Sequence, residues 1–87
     1  MQDESHPVNL GLLPLGRPAT ISRVDWSMLD ATTARRLQEF GIDEGMAVEL
    51  IHHGPLGRDP LALRVGRMTI ALRQAQASAI TVIPAYP

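Results

Sequence analysis

Eighty-seven residues, eight arginines against nine carboxylates, a net charge of −1 and no cysteine describe one small domain. These totals exclude a disulfide framework and a thiolate metal site, and they give no basic face of the kind nucleic acid requires. The longest apolar runs fall far short of a membrane span, and the acidic start MQDESHPVN lacks the parts of a signal peptide, so the expected location is the cytoplasm, with no direct membrane insertion.

A chain of this size buries only about 60% of its unfolded surface. Its core must come from Leu, Ile, Val, Met and Ala, because the only aromatic residues are Trp26, Phe40 and Tyr86. Residues 1–8 read as a flexible tail, with residues 9–87 as the domain. The segment VNLGLLPLGRP is apolar but broken by Gly11, Pro14, Gly16 and Pro18. It is expected to lie over the core as irregular chain, with Leu10, Leu13 and Leu15 as anchors. ATISRV, residues 19–24, alternates as a strand with a bulge or strand end near Arg23.

DATTARRLQEFGI reads as the one real helix. Asp30 is its N-cap, and Ala31, Ala34, Leu37 and Phe40 form its inward stripe. Gly41 is its left-handed terminator, and Ile42 folds back on the last turn. MAVELIHH alternates again as a strand. GPLGRDP, with its breakers, is expected to be a loop. LALRV and MTIALR place alternate apolar residues on one face. Gly66-Arg67 between them suits a type II′ hairpin turn. QAQASA is expected to form one helical turn, and ITVI a last strand. Five short strands with one helix after the first cannot hide both faces as an open sheet. Closing into a barrel removes the edges, and strands this short favour an SH3-like barrel over an OB-fold, so the predicted fold is mostly β, a small SH3-like barrel.

Chemistry is sparse. His52 and His53 are adjacent on a strand, so alternation sends them to opposite faces and disfavours chelation of one ion. Asp43-Glu44 and Asp3-Glu4 are paired carboxylates without further converging oxygens, and they read as solvated charge. No context groups a serine with a histidine, and GPLGRDP lacks the Gly-Lys-Ser/Thr ending of a phosphate loop. Neither a catalytic group nor a cofactor site is expected, with weak divalent-metal binding as the exception to weigh. Trp26, Met28 and Leu29 read as a plug closing one end of the barrel, with an exposed docking patch as the alternative. A docking surface, if present, is expected at the rim loop through Leu56 and Arg58 and on the exposed helix face through Arg35 and Arg36. The planar guanidinium fork suits interfaces.

An ordered series of residues runs through this framework. It comprises Arg36-Leu37 leading to Gly41-Ile42, then Gly45, Pro55-Leu56-Gly57 to Asp59-Pro60, Ala71-Leu72-Arg73, and Ala77 to Ile80. From about Leu10 to Ile83 the chain resembles the ferrous-iron transport protein A (FeoA) family. Two positions depart from its pattern: Arg58 is extra in a loop that often reads Gly-Asp-Pro, and Gln76 stands where an acidic residue often precedes the alanine. The resemblance implies an SH3-like barrel in a bacterial cytosol. It implies a non-catalytic accessory role in ferrous iron uptake, with the cytosolic, GTP-binding part of the large membrane permease (FeoB) as partner. The same barrel is similar to the carboxy-terminal domain of iron-dependent repressors, which makes a metal-sensing regulatory domain the rival reading. Self-association into a homo-oligomer is compatible with the open strand edges of such barrels.

Overall fold

The computed structural model describes residues 6–85, except for the side chain of Leu56. Six antiparallel strands form one curled sheet in the order β1-β6-β2-β3-β4-β5. They are β1 (Val8–Asn9), β2 (Pro18–Val24), β3 (Ala47–Leu56), β4 (Asp59–Val65), β5 (Met68–Leu72) and β6 (Ile80–Pro84). This is the expected mostly-β, SH3-like architecture, with one strand more than the five read from sequence. The extra strand is β1, where Val8 pairs with Val82 and Asn9 with Thr81. Val8 was assigned to the tail and is a paired strand residue instead. Of that tail, residues 1–5, with Asp3 and Glu4, lie outside the described residues, as does Tyr86.

Helix α1 (Ala31–Glu39) is built by local signals. The Asp30 carboxylate accepts from the Thr33 N–H at 2.8 Å. At the other end Gly41 takes φ 86°. Its N–H donates to the Gln38 carbonyl at 3.0 Å, and the Ile42 N–H donates to the Leu37 carbonyl at 3.0 Å. That pair of bonds is a Schellman motif, and it seats Ile42 in the core. The inward stripe differs from expectation: Thr33 and Leu37 are buried, Ala34 and Phe40 half-buried, and Ala31 exposed. A second helical turn, α2 (Gln74–Ala77), stands where QAQASA was expected to form one.

Alternation along the strands delivers Ile21, Val48, Leu50, Leu61, Leu63, Val65, Ile70, Leu72, Ile80 and Val82 to a single core. Leu10 and Leu13, from a 3-10 turn over Leu10–Leu12 and its cap, close one end. Leu15 does not join them. It is 46% exposed, because Gly16 (φ 78°) turns the chain and its N–H is held by the Leu50 carbonyl at 2.8 Å. Trp26 and Leu29 pack against the core as the plug required, whereas Met28 is 54% exposed on the 3-10 turn between β2 and α1.

GPLGRDP is not a loop. β3 runs through Leu56, β4 begins at Asp59, and only Gly57-Arg58 lies between them. Both turn residues have positive φ, 64° and 66°, as a type I′ hairpin needs. Two bulges bend β3, and Gly54 and Pro55 lie in the second. The β3–β4 register slips between Leu50 and His52 and again between His53 and Leu56. A third slip, between Ile21 and Arg23, is the bulge expected in β2. The Gly66-Arg67 hairpin has the expected form, with positive φ (60°) at Gly66 alone.

Candidate functional site

The four residues expected to dock a partner lie on two elements. Arg35 and Arg36 are exposed on α1, and the Arg36 guanidinium sits over the Phe40 ring, 5.9 Å from its centroid. That i, i+4 stacking is a cation–π contact, and no carboxylate of the domain pairs with Arg36 among the described residues. Leu56 pairs with Asp59 at the tip of the β3–β4 hairpin, and its side chain lies outside the described residues. Arg58 does not project freely from this tip. It folds back, its Nη2 donates to the Leu13 carbonyl at 3.4 Å, and its Nε is buried without a described partner. No described contact joins the hairpin tip to Arg35 or Arg36.

The tip is tied to the body through α2. Gln74 donates its backbone N–H to the Asp59 carboxylate at 3.0 Å and its side-chain amide to the Arg58 carbonyl at 3.4 Å. Beside it, Gln76 accepts from the Arg73 N–H at 3.0 Å and donates to the Thr33 hydroxyl at 3.4 Å. An acidic side chain at position 76 accepts from Arg73, but only an amide also donates to Thr33. The resulting chain from Asp30 through Thr33 and Gln76 couples α1 to α2. Sequence reasoning missed it, because its partners are 43 residues apart. Two bonds from Thr33, backbone first and hydroxyl second, hold the Asp30 carboxyl below its usual range.

The histidines occupy consecutive register positions, opposite Ala62 and Leu61. His52 and His53 stand between the two bulges of β3, which bend the strand locally. Their rings run nearly parallel, 23° apart, with centroids separated by 6.4 Å. His52 is exposed, and His53 is half-buried with its Nδ1 enclosed and without a described partner. Among the described residues, no group of three or more His, Cys, Asp or Glu side chains is placed to hold a metal ion.

Nothing resembling a nucleophile with its base is assembled from the described serines. The hydroxyls of Ser22, Ser27 and Ser78 donate to Thr81, Asp25 and Ala75 respectively. A depression of about 230 Å³ lies on the outer sheet face, lined by Pro18, Ala47, Val48, Glu49, Arg64 and Gly66. It holds one carboxylate and one guanidinium, without a nucleophile. No helix among the described residues is long and apolar enough to cross a membrane.

A family model, the FeoA domain, matches residues 8–84. Among solved structures, the chain is similar to Stenotrophomonas maltophilia FeoA, solved in complex with zinc and described as a procaryotic SH3 domain protein. Identity is 35%, coverage is 86% of this chain and 88% of that one, and the TM-score is 0.73. It is also similar to Chlorobium tepidum FeoA, with 26% identity, 91% and 71% coverage and a TM-score of 0.79. A manganese-dependent transcriptional repressor shares the fold, at 17% identity over 93% of this chain and 43% of that one, with a TM-score of 0.78. No curated protein sequence matches the chain.

Proposed function

We propose, from the premise that the chain belongs to the FeoA family, that it is a non-catalytic accessory module of ferrous iron uptake. It acts by docking on the cytosolic, GTP-binding part of the membrane permease. The observation that carries this reading is the family match across residues 8–84, nearly the whole chain. The Stenotrophomonas relative is itself put forward as a candidate activating factor for ferrous iron transport. Arg35 and Arg36 on α1 are the charged contacts, with the Leu56–Arg58 hairpin tip as the second contact region. In this role the tip is held in one conformation by Gln74, which lowers the entropy lost on docking. The test is binding to the permease's cytosolic domain and to the full-length permease, with and without guanine nucleotide. Binding that Arg35→Glu/Arg36→Glu weakens supports the reading. Absence of binding to both forms of the permease overturns it.

A second reading, a metal-responsive regulatory domain, draws on the zinc bound by the Stenotrophomonas relative and on the stacked His52 and His53 rings. Calorimetric titration with iron(II), manganese(II) and zinc(II) separates the two. Affinity tighter than micromolar that is lost in His52→Ala or His53→Ala favours metal sensing.

A further inference from the structure

Among the described residues the sheet has one long edge without a paired strand. β5 pairs with β4 alone, while β1, at the other end of the strand order, is only two residues long. In a two-residue hairpin the flanking residues form the hydrogen-bonded pair, here Val65 and Met68. Alternation then makes Leu63–Ile70 and Leu61–Leu72 hydrogen-bonded pairs as well. The backbone N–H and C=O groups of Thr69 and Ala71 therefore point away from β4. Both residues are exposed, and no other described backbone bond involves either one. Such an edge is a template for an added strand.

Charge selects what can be added. Every acidic side chain lies at or before Asp59, whereas residues 60–87 carry Arg64, Arg67 and Arg73 and no Asp or Glu. Arg67 and Arg73 bracket β5, Arg64 lies opposite Thr69, and all three arginines are exposed. Of the nearby carboxylates, Asp59 is engaged by the Gln74 N–H and Glu49 stands opposite Arg64 in the β3–β4 ladder, so Arg67 and Arg73 carry the unopposed charge beside β5. A second copy of the chain is a poor occupant. One antiparallel register, Thr69 against the second copy's Ala71, sets Arg67 against its Arg73 at both ends, and in the registers that set Thr69 against Thr69 or Ala71 against Ala71 the added β5 still brings no carboxylate to either arginine.

We propose that β5 is a docking edge for an extended peptide segment with carboxylates at its ends, taken up as an added strand on Thr69 and Ala71. This edge is separate from Arg35, Arg36, Leu56 and Arg58, and the proposal does not depend on the identity of the partner. The probe is a capped heptapeptide of alternating valine and threonine with a glutamate at each end, beside a twin with lysine at each end. Each is titrated into the full chain labelled with nitrogen-15. The expected result is saturable movement of the Thr69 and Ala71 amide signals with the glutamate peptide, and binding of the lysine twin weaker by about tenfold. Ala71→Pro removes an outward donor without touching the β4 ladder, a change edge strands tolerate, and it should abolish that binding. Arg67→Glu/Arg73→Glu keeps the edge and should reverse the preference between peptides, which decides the matter if the proline variant fails to fold. The proposal is overturned by no shift at millimolar peptide, by equal binding of the twins, or by shifts confined to another surface. Concentration-dependent self-association through the same amides overturns it too, because the occupant is then a second copy.

Discussion

Gly54 and Gly57 stand three residues apart and are glycine for different reasons, which gives a discriminating stability test. Gly57 sits at φ 64° with open space where a Cβ would be. Gly57→Ala pays the left-handed penalty of about 1–2 kcal/mol. It recovers about 0.4–1 kcal/mol from a less flexible unfolded chain, for a net loss of about 1 kcal/mol. Gly54 has no such penalty, so the unfolded-chain term alone makes Gly54→Ala stabilising. Packing reverses that sign. A Cβ on Gly54 would stand 2.7 Å from the Asp59 carbonyl carbon, 2.9 Å from Pro60 Cδ and closer still to the Asp59 carbonyl oxygen. Two of those atoms are backbone of the facing strand, so the second β3 bulge must shift by most of an ångström. Overpacking of this kind costs about 1–3 kcal/mol, a clash this close with facing backbone falls at the upper end, and after the unfolded-chain gain of about 0.4–1 kcal/mol a net loss of about 2 kcal/mol is expected for Gly54→Ala. With a urea slope of about 1 kcal/mol per molar, the midpoint falls by about 2 M, against about 1 M for Gly57→Ala. The fluorescence of Trp26, the single tryptophan, packed against the core, reports both transitions. A Gly54→Ala midpoint at or above that of Gly57→Ala would refute the close approach of the bulge to Asp59–Pro60.

Three further outcomes follow from the core and the α1–α2 coupling. Leu50→Ala empties a fully buried site at the centre of β3 and should cost about 2–5 kcal/mol in the same urea assay. Because the folded Asp30 carboxyl is held below its ordinary value of 3.8, its stabilising effect is complete above that value and lost as pH falls through the lower folded one. Asp30→Asn keeps a capping oxygen without the titration, so the wild-type midpoint should fall more steeply with acid than the variant's; parallel curves would contradict this. Gln76→Glu keeps the acceptor for Arg73 and loses the donor to Thr33, and a loss of about 0.5–1 kcal/mol is expected, absent when Thr33 is already Val.

What could be read from sequence was local. Asp30, Gly41 and Ile42 set both ends of α1 within a few residues of themselves, and Gly66 sets its hairpin in the same way. The bulge near Arg23 announced itself by broken alternation. What could not be read depends on distant partners. Val8 becomes a strand only because Val82 faces it, and Arg58 folds back only because the Leu13 carbonyl lies beneath it. Leu15 and Met28 were assigned inward on size alone, yet the turns that carry them point them out. For the candidate site, the sequence identified Arg35 and Arg36 on an exposed face but gave no sign of the Gln74 and Gln76 contacts that hold the hairpin tip and α1 to α2.

GPLGRDP is the instructive failure. In a flat sheet glycine and proline do break a strand. Here β3 pairs with β2 through Ala47–Glu49 and with β4 from Val48 to Leu56, so one ten-residue strand serves both halves of the barrel. It can do so only by bending, and a bulge bends a strand by inserting a residue that the partner does not match. Gly54 fits the crowded side of such a bend, and Pro55 withholds a donor where the ladder has slipped. The same residues that argue against a regular strand thus permit a long one to curl. They carry the chain to a two-residue turn that Gln74 then pins. A tip built this way is tied to the body at two points, the Asp59 carboxylate and the Arg58 carbonyl, through Gln74 alone.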